Sequence, residues 1–306
     1  MWDFNLLAAT RTLESTMPFV LYRFMVYLGI SLGYLFAAVA GAGSFIAFAS
    51  FSAKPTSMAN FGAVLGFAGL GYLLYKFRGT LLFNMKAGQL ALLAGQARGE
   101  KLPEGKAQVD FAKQVVTARF TASEFFAVSE TIGRVLRELP REFCIPVRGI
   151  ASEEAAKLVA WLVGQVLYAC HQAIVVLYFF GDESNPWRSA SVGLVLQTRH
   201  FAALLKYRLY ALAFETVGLV SGFVVLLYPA NALAESLPAD VGVWPYVITF
   251  VFAWGLKSAF FSPIATAALS KLYLDLMRSE PAPTDAEIAA LENCSVAFSV
   301  IRGKAA

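Results

Sequence analysis

Residues 24–53 read FMVYLGISLGYLFAAVAGAGSFIAFASFSA and carry no charged side chain over 30 positions. A helix needs about 20 predominantly apolar residues to cross the hydrocarbon core of a bilayer. The stretch therefore predicts a long, tilted membrane-spanning helix. It is longer than the apolar region of a cleavable signal peptide, which has about 7–15 residues, so we expect a retained anchor.

The composition of the whole chain extends this expectation. Of its 306 residues, 58% are hydrophobic and 15% are charged, and the mean hydropathy is +0.60. Soluble domains have about 45–50% apolar and about 25% charged residues. A single soluble core cannot hide the excess, because a folded chain must cover its surface largely with polar groups. The sequence predicts an all-α, polytopic helical membrane protein.

Three further stretches have the length and composition of membrane spans. Residues 55–75 are uncharged and follow Lys54-Pro55, which predicts a hairpin turn. Residues 209–228 and 244–272 are almost as apolar; the first contains one acidic residue and the second contains two basic residues. With residues 24–53, they make four predicted transmembrane helices.

A fifth apolar run, residues 158–181, conflicts with the distribution of charge. Lys and Arg collect on the cytoplasmic side of membrane spans. Segment 76–154 carries twelve of them and loop 229–243 carries none, which predicts cytoplasmic N- and C-termini. Both flanks of residues 158–181 then lie in the cytoplasm. The run is either a re-entrant segment, which the charges favour, or a fifth crossing that exposes basic residues outside.

Four regions follow one another along the chain, and together they predict a multi-pass protein of a bacterial inner membrane. They are an N-terminal cytoplasmic helix with a transmembrane hairpin (1–75), an amphipathic helical region in the cytoplasm or at the interface (76–154), a C-terminal membrane region (155–280) and a cytoplasmic tail helix (281–306).

The second region contains a basic amphipathic helix. Apolar residues from Phe125 to Leu139 recur at helical spacing, whereas Arg134, Arg137 and Arg141 lie on other faces. Such a helix beside membrane spans either lies in the headgroup plane, bound to anionic lipids, or packs its apolar face on another cytoplasmic helix or subunit. Both alternatives remain open, and membrane lipids are the expected partners.

Glycines four residues apart recur inside three of the predicted spans. In lipid, such pairs allow two helix backbones to approach closely. Chance is the alternative for one pair in a chain with 23 glycines, but three pairs favour tight packing, within a subunit or in a homo-oligomer. The pairs are Gly29/Gly33, Gly62/Gly66 and Gly218/Gly222.

Three ionisable residues lie inside apolar runs: Glu215, Lys257 and His171. Charges are costly in hydrocarbon and usually face a bundle interior or each other. Because the last two spans are consecutive and antiparallel, we expect a Glu215–Lys257 pair. A structural ion pair is favoured over a substrate or proton site. For His171, donation to a neighbouring carbonyl is favoured over a proton relay. Pro263 should kink the last span.

The usual signatures of enzymes and metal sites are absent from the sequence. It has two histidines and three widely spaced cysteines, and no HExxH, GxSxG, Walker-type or GxGxxG arrangement. The cysteines are best explained as small buried apolar residues. We therefore expect no catalytic residues, metal, cofactor or nucleic-acid partner.

Residues 185–280 resemble the C-terminal part of the choline transporter-like family. The resemblance rests on SAFFS (258–262) followed by LYLDLMRSE (272–280), with a basic interfacial segment and an acid-bearing span before them. It implies membrane transport of a choline-like or lipid-related solute. The chain is much shorter than the ten-span members, and no binding residue of the family can be placed on it.

Two functions compete on these grounds. The first is a non-enzymatic, oligomeric, lipid-interacting membrane scaffold, and the alternative is a transporter of a choline-like or lipid-related solute that works as an oligomer. They differ in one property. A transporter should have a water-accessible cavity that reaches Glu215 or Lys257, whereas a scaffold should bury the two residues as a dry pair.

Overall fold

The computed structural model describes residues 5–48, 55–143, 152–236 and 241–305. All regular structure in these ranges is helical, which confirms the predicted all-α class. The elements are α1 (Leu6–Glu14), α2 (Met17–Phe48), α3 (Pro55–Ala97), α4 (Lys106–Arg119), α5 (Ala122–Glu138), α6 (Pro140–Phe143), α7 (Glu153–Tyr168), α8 (His171–Phe180), α9 (Pro186–Arg199), α10 (Phe201–Glu235), α11 (Trp244–Leu256), a π-helical segment (Lys257–Phe261), α12 (Ser262–Ser279), α13 (Asp285–Cys294) and α14 (Val296–Ala305).

Five helical stretches among the described residues are long and apolar enough to cross a membrane, as expected for a multi-pass membrane protein. They are Met17–Ala47, Thr56–Gly79, Glu153–Phe180, Phe201–Glu235 and Trp244–Ser279. The first begins before the predicted stretch 24–53, whose last residues and the turn at Lys54 lie outside the described residues.

The chain divides into two compact units that do not follow the order of the sequence. The membrane unit comprises Val20–Leu82 and Glu215–Ser262, and the helical unit comprises Met1–Phe19, Phe83–Phe214 and Pro263–Ala306. The division falls inside α2, α3 and α10 and at the junction of the π-helical segment with α12.

The membrane unit turns large apolar side chains outward on each of its helices. Phe36 of α2 is 75% exposed and Tyr228 of α10 is 83% exposed, and Val64 of α3 and Phe250 of α11 are also exposed. Contiguous apolar surface of this kind is unfavourable in water. It is the surface that helices present to lipid.

The helical unit has a core that resembles that of a soluble protein. The apolar face of α5 is buried, including Phe125, Val128 and Ile132, and α5 packs against α7, α8, α9 and α14. The α8 side chains from Ala173 to Phe179 are all buried.

The fifth apolar run corresponds to α7 and α8, which a turn at Ala169-Cys170 separates. In its most apolar 18-residue stretch, 56% of the residues are buried, whereas in the corresponding stretches of α2 and α3 only 11% are buried. Burial on all sides therefore accounts for the uniform apolarity of α8. Helix α7 buries small residues on one face and exposes Leu158, Trp161 and Leu162 on another.

Local signals fix several helix ends in the helical unit. The Asn185 side chain accepts a hydrogen bond from the Trp187 N–H, with Pro186 in the first turn of α9. Thr284 and Glu287 form the predicted capping box of α13. The turn between α3 and α4 uses Gly99 and Gly105 at positive φ.

Candidate functional site

The membrane unit contains a direct ion pair between the two ionisable residues that the sequence singles out. Lys257 Nζ lies 2.5 Å from Glu215 Oε2, and the two side chains are 17% and 11% exposed. Lys257 also lies over the Trp254 ring, 5.2 Å from its centroid. A nearly buried charge is stable only when a partner compensates for its lost hydration. Each residue supplies that partner for the other.

The helix that carries Lys257 is irregular at this point. The Ser262 N–H donates to the Lys257 carbonyl, five residues back, rather than to the Ser258 carbonyl four residues back. Pro263 has no N–H. The Ser258 carbonyl therefore has no backbone donor on the following turn. The sequence predicts an irregular helix at Pro263, and the irregularity observed there is this π-helical segment.

Arg23 supplies the missing donor. Its Nη2 donates to the Ser258 carbonyl oxygen at 2.7 Å, and the residue is buried. Its guanidinium lies over the Tyr27 ring at 5.8 Å and interacts electrostatically with Glu215. Its Nε has no hydrogen-bond partner in the described part of the chain. Arg23, Glu215 and Lys257, here called the charge cluster, carry two positive charges and one negative charge.

Sequence reasoning missed Arg23 because the uncharged stretch was taken to begin at residue 24. The available signal was MPFVLY (17–22), an apolar segment that extends the span toward the N-terminus and places Arg23 inside it. An intramembrane arginine then becomes a site candidate by the same reasoning that selects Glu215.

The glycine pairs differ in their surroundings. A Cβ on Gly66 would collide with the Ala37 carbonyl, and a Cβ on Gly62 would collide with the Gly41 carbonyl. Helices α2 and α3 therefore touch backbone to backbone. The partner motif on α2 is Ala37/Gly41 rather than Gly29/Gly33, a small-residue pair with the same spacing that sequence reasoning missed.

The other two pairs make different contacts. A Cβ on Gly218 would meet the Phe261 ring, and one on Gly222 would be in ordinary contact with Leu256. These residues let α10 approach the helix that carries Lys257. No described atom lies within 4 Å of a Cβ placed on Gly29, and Gly33 has only an ordinary contact with Leu70.

His171 makes a local contact in the helical unit. Its Nδ1 lies 2.6 Å from the Tyr168 carbonyl oxygen. A carbonyl only accepts hydrogen bonds, so Nδ1 carries the proton and donates. This is the hydrogen bond expected if His171 has a structural role rather than the role of a proton relay.

The basic residues of the amphipathic region also lie in the helical unit. Arg134 and Arg137 both form ion pairs with Glu130, and Arg137 lies over the Tyr168 ring of α7. Arg141 is exposed on α6. Since the apolar face of α5 is buried against other helices, its surroundings match packing on protein rather than immersion in the headgroup plane.

A second charged group joins α9 to α13. Arg199 Nε and Nη2 donate to the two carboxylate oxygens of Glu287 at 2.6 and 2.7 Å. Together with hydrogen bonds from Thr284, these bonds lower the pKa of Glu287 from 4.5 to about 2. The same contact raises the pKa of Arg199. The arrangement is a bidentate pair that holds two helix ends together.

Two of the cavities in the membrane unit bear on its function. The first, about 720 Å³, is lined almost wholly by apolar residues such as Leu35, Val39 and Phe252. The second, about 690 Å³, is here called the aromatic groove. Its walls include six aromatic residues and one charged residue, namely Tyr27, Tyr34, Phe67, Tyr75, Phe250, Trp254 and Arg78.

The described residues contain no group of three His, Cys, Asp or Glu side chains that could hold a metal ion. Neither Cys170 nor Cys294 forms a disulfide bond among the described residues, and Cys144 lies outside the described ranges. Comparison of the chain with family models, curated proteins and solved structures gives no match.

Proposed function

We propose that this chain is a non-enzymatic, multi-pass protein of a bacterial inner membrane that forms an oligomeric, lipid-interacting scaffold. The observation that carries the proposal is the direct, nearly buried contact between Glu215 and Lys257, inside a unit whose outer faces are apolar. A solute carrier needs water or substrate to reach its charged site. Here the two charged side chains form an ion pair with each other, and neither side chain is more than 17% exposed.

Two further observations support contact with lipids and with other copies. The apolar cavity of about 720 Å³ suits hydrocarbon better than a polar solute. A Cβ on Gly29 would meet no described atom within 4 Å, which leaves this position of α2 available for packing between copies.

Native mass spectrometry of the protein, released from lipid nanodiscs and from mild detergent, tests the proposal. We expect complexes of more than one copy that retain phospholipid. A monomer free of lipid under both conditions would contradict the scaffold.

Transport of a choline-like solute is the second candidate, and the aromatic groove favours it because ring faces attract quaternary ammonium groups. We rank it lower because three of these rings already face the protein's own cations: Arg23 lies over Tyr27, Arg78 over Tyr75 and Lys257 over Trp254. Uptake of labelled choline into proteoliposomes above the level of empty liposomes would reverse the ranking.

A further inference from the structure

The aromatic groove of the membrane unit combines an apolar interior with a basic end. It lies along α2, α3 and α11. Tyr34 and Phe67 line its interior, with ring centroids 4.6 Å apart. Arg78, near the end of α3 within this unit, is the one charged residue among the described residues that line it. A groove of this kind matches a molecule with a hydrocarbon chain and an anionic end.

Arg78 is poised to bind an anion. It is exposed, and its guanidinium lies over the Tyr75 ring, 4.2 Å from the centroid. That contact engages the face of the guanidinium, whereas its N–H donors lie in the plane of the group. No hydrogen bond or ion pair joins it to another described residue.

Neither described acidic residue of the membrane unit, Glu215 or Glu235, forms an ion pair with Arg78. Glu215 is bound to Lys257. Glu235 lies 20 residues after Glu215 on the same helix, about 30 Å from it along the helix axis at 1.5 Å per residue. The charge cluster adds a net positive charge against the groove wall, since Arg23 and Lys257 lie over Tyr27 and Trp254. The groove therefore favours a ligand with net negative charge.

The spacing along α3 matches the dimensions of a bilayer. Arg78 lies 23 residues after Pro55, which corresponds to about 34 Å of helix. The hydrocarbon core is about 30 Å thick, so Arg78 reaches headgroup level while Phe67 lies about 16 Å deeper. An acyl chain that starts at a phosphate on Arg78 would run along the groove past Phe67.

We propose that the aromatic groove binds one anionic phospholipid, with its phosphate on the Arg78 guanidinium and one acyl chain along Tyr34 and Phe67. This inference rests on the proposed lipid-interacting function and adds the lipid class and the site. The phosphate would accept two charge-assisted hydrogen bonds from the guanidinium. A zwitterionic lipid would place its own ammonium group in the same positive field and bind more weakly.

Native mass spectrometry of the full chain, delipidated in detergent and titrated with phosphatidylglycerol or phosphatidylcholine, tests the site. We expect the wild type to bind phosphatidylglycerol about tenfold more tightly, and Arg78→Gln to abolish most of this preference. Leu74→Trp fills the groove while keeping Arg78 and should also weaken lipid binding. Inorganic phosphate at the same concentration should not displace the lipid.

Arg188→Gln is the matched control, because it removes another exposed arginine, in the helical unit. It should bind lipid like the wild type. If Arg78→Gln and Leu74→Trp also bind phosphatidylglycerol like the wild type, the groove assignment is wrong although the protein still binds lipid and forms oligomers. A wild type that binds neither lipid and is monomeric would instead overturn the proposed function.

Discussion

Glu215 and Lys257 determine how the last two membrane helices meet. Either residue alone would be a nearly buried charge without compensation, and such a charge costs about 3–5 kcal/mol when its partner is removed. Exchanging both for neutral groups removes the uncompensated charge along with the attraction. A structural pair therefore has a distinctive signature in a double-mutant cycle.

We predict that Glu215→Gln and Lys257→Met each lower the thermal unfolding midpoint in detergent. The double variant should recover much of the loss, because it leaves neither charge unpaired. Light-scattering thermal melts of the four proteins measure the coupling. Additive losses would mean that the pair does not act as a unit and would favour a role for the charges outside stability.

Glu287 confers an acid sensitivity whose sign follows from its pKa. Its pKa falls from 4.5 in the unfolded chain to about 2 beside Arg199. The contact therefore contributes its full stabilisation above pH 4.5 and loses it as pH falls toward 2. Since the Glu287 side chain is one-third exposed, solvent screening keeps the contribution modest.

We predict that hydrogen exchange in α13 accelerates between pH 4.5 and 2.5 in the wild type, after correction for the intrinsic pH dependence. Glu287→Gln should show faster exchange at pH 7 and little further change on acidification. Glu153→Gln, at a carboxylate that is 82% exposed, serves as the control. An identical acid response in wild type and Glu287→Gln would show that another carboxylate is responsible.

The residue scale also shows what a single sequence can predict about a site. Glu215 and Lys257 are visible because each interrupts an apolar run, and their pairing follows from consecutive antiparallel spans. Arg23 lies at the edge of such a run, where the membrane boundary is not encoded sharply. Its partner is the Ser258 carbonyl, which loses its usual helical N–H donor in the π-helical segment. Because this partner is a backbone group, no residue type in the sequence indicates the contact.

Among the elements, α2 and α3 pack through backbone rather than side chains. The carbonyls of Ala37 and Gly41 lie against Gly66 and Gly62. In lipid, where apolar side chains gain little by leaving the solvent, such close approach supplies much of the packing energy. A side chain at this contact must push the helices apart.

We predict that Gly66→Leu destabilises the membrane unit strongly, by about 1–3 kcal/mol or more, because there is no space even for a Cβ. Gly43→Leu on α2 is the matched control, since a Cβ there meets no described atom within 4 Å. Thermal unfolding in detergent compares the two variants. Equal midpoints would show that the helices do not pack through Gly66.

Helices α7 and α8 mark the limit of prediction from apolar patterns. A helix that is apolar all round is either surrounded by lipid or buried by protein, and composition alone does not distinguish the two. The flanking charges favour a segment that does not cross. The carbonyls at its end accept hydrogen bonds from a residue that the sequence does not indicate: Arg119 Nη1 donates to the carbonyls of Tyr178 and Gly181.

At the scale of the whole molecule, the sequence predicts the helical class and the spans, but not the division into units. The spans follow from local apolarity. The units combine segments far apart in the chain, such as residues 83–214 with 263–306. That grouping depends on side-chain packing between distant helices, for which one sequence gives no direct signal.

The sidedness of the α7–α8 segment determines the topology, because a fifth crossing would place the two chain termini on opposite sides. We predict that it does not cross. The basic residues before and after it, including Lys157 and Arg188, then stay on the cytoplasmic side. The buried α8 side chains would stay in contact with the protein core.

Impermeant thiol labelling in spheroplasts tests this prediction, in a background where Cys144, Cys170 and Cys294 are replaced by Ala. Glu183→Cys follows α8 and should react only after the membrane is permeabilised. Ser236→Cys follows α10 at the loop without basic residues and should react from outside, whereas a fifth crossing would place it inside, so the two positions give opposite readouts. Labelling of Glu183→Cys in intact spheroplasts would make Glu153–Phe180 a fifth span. The positive residues that follow it would then be external, against the charge rule from which the topology is built.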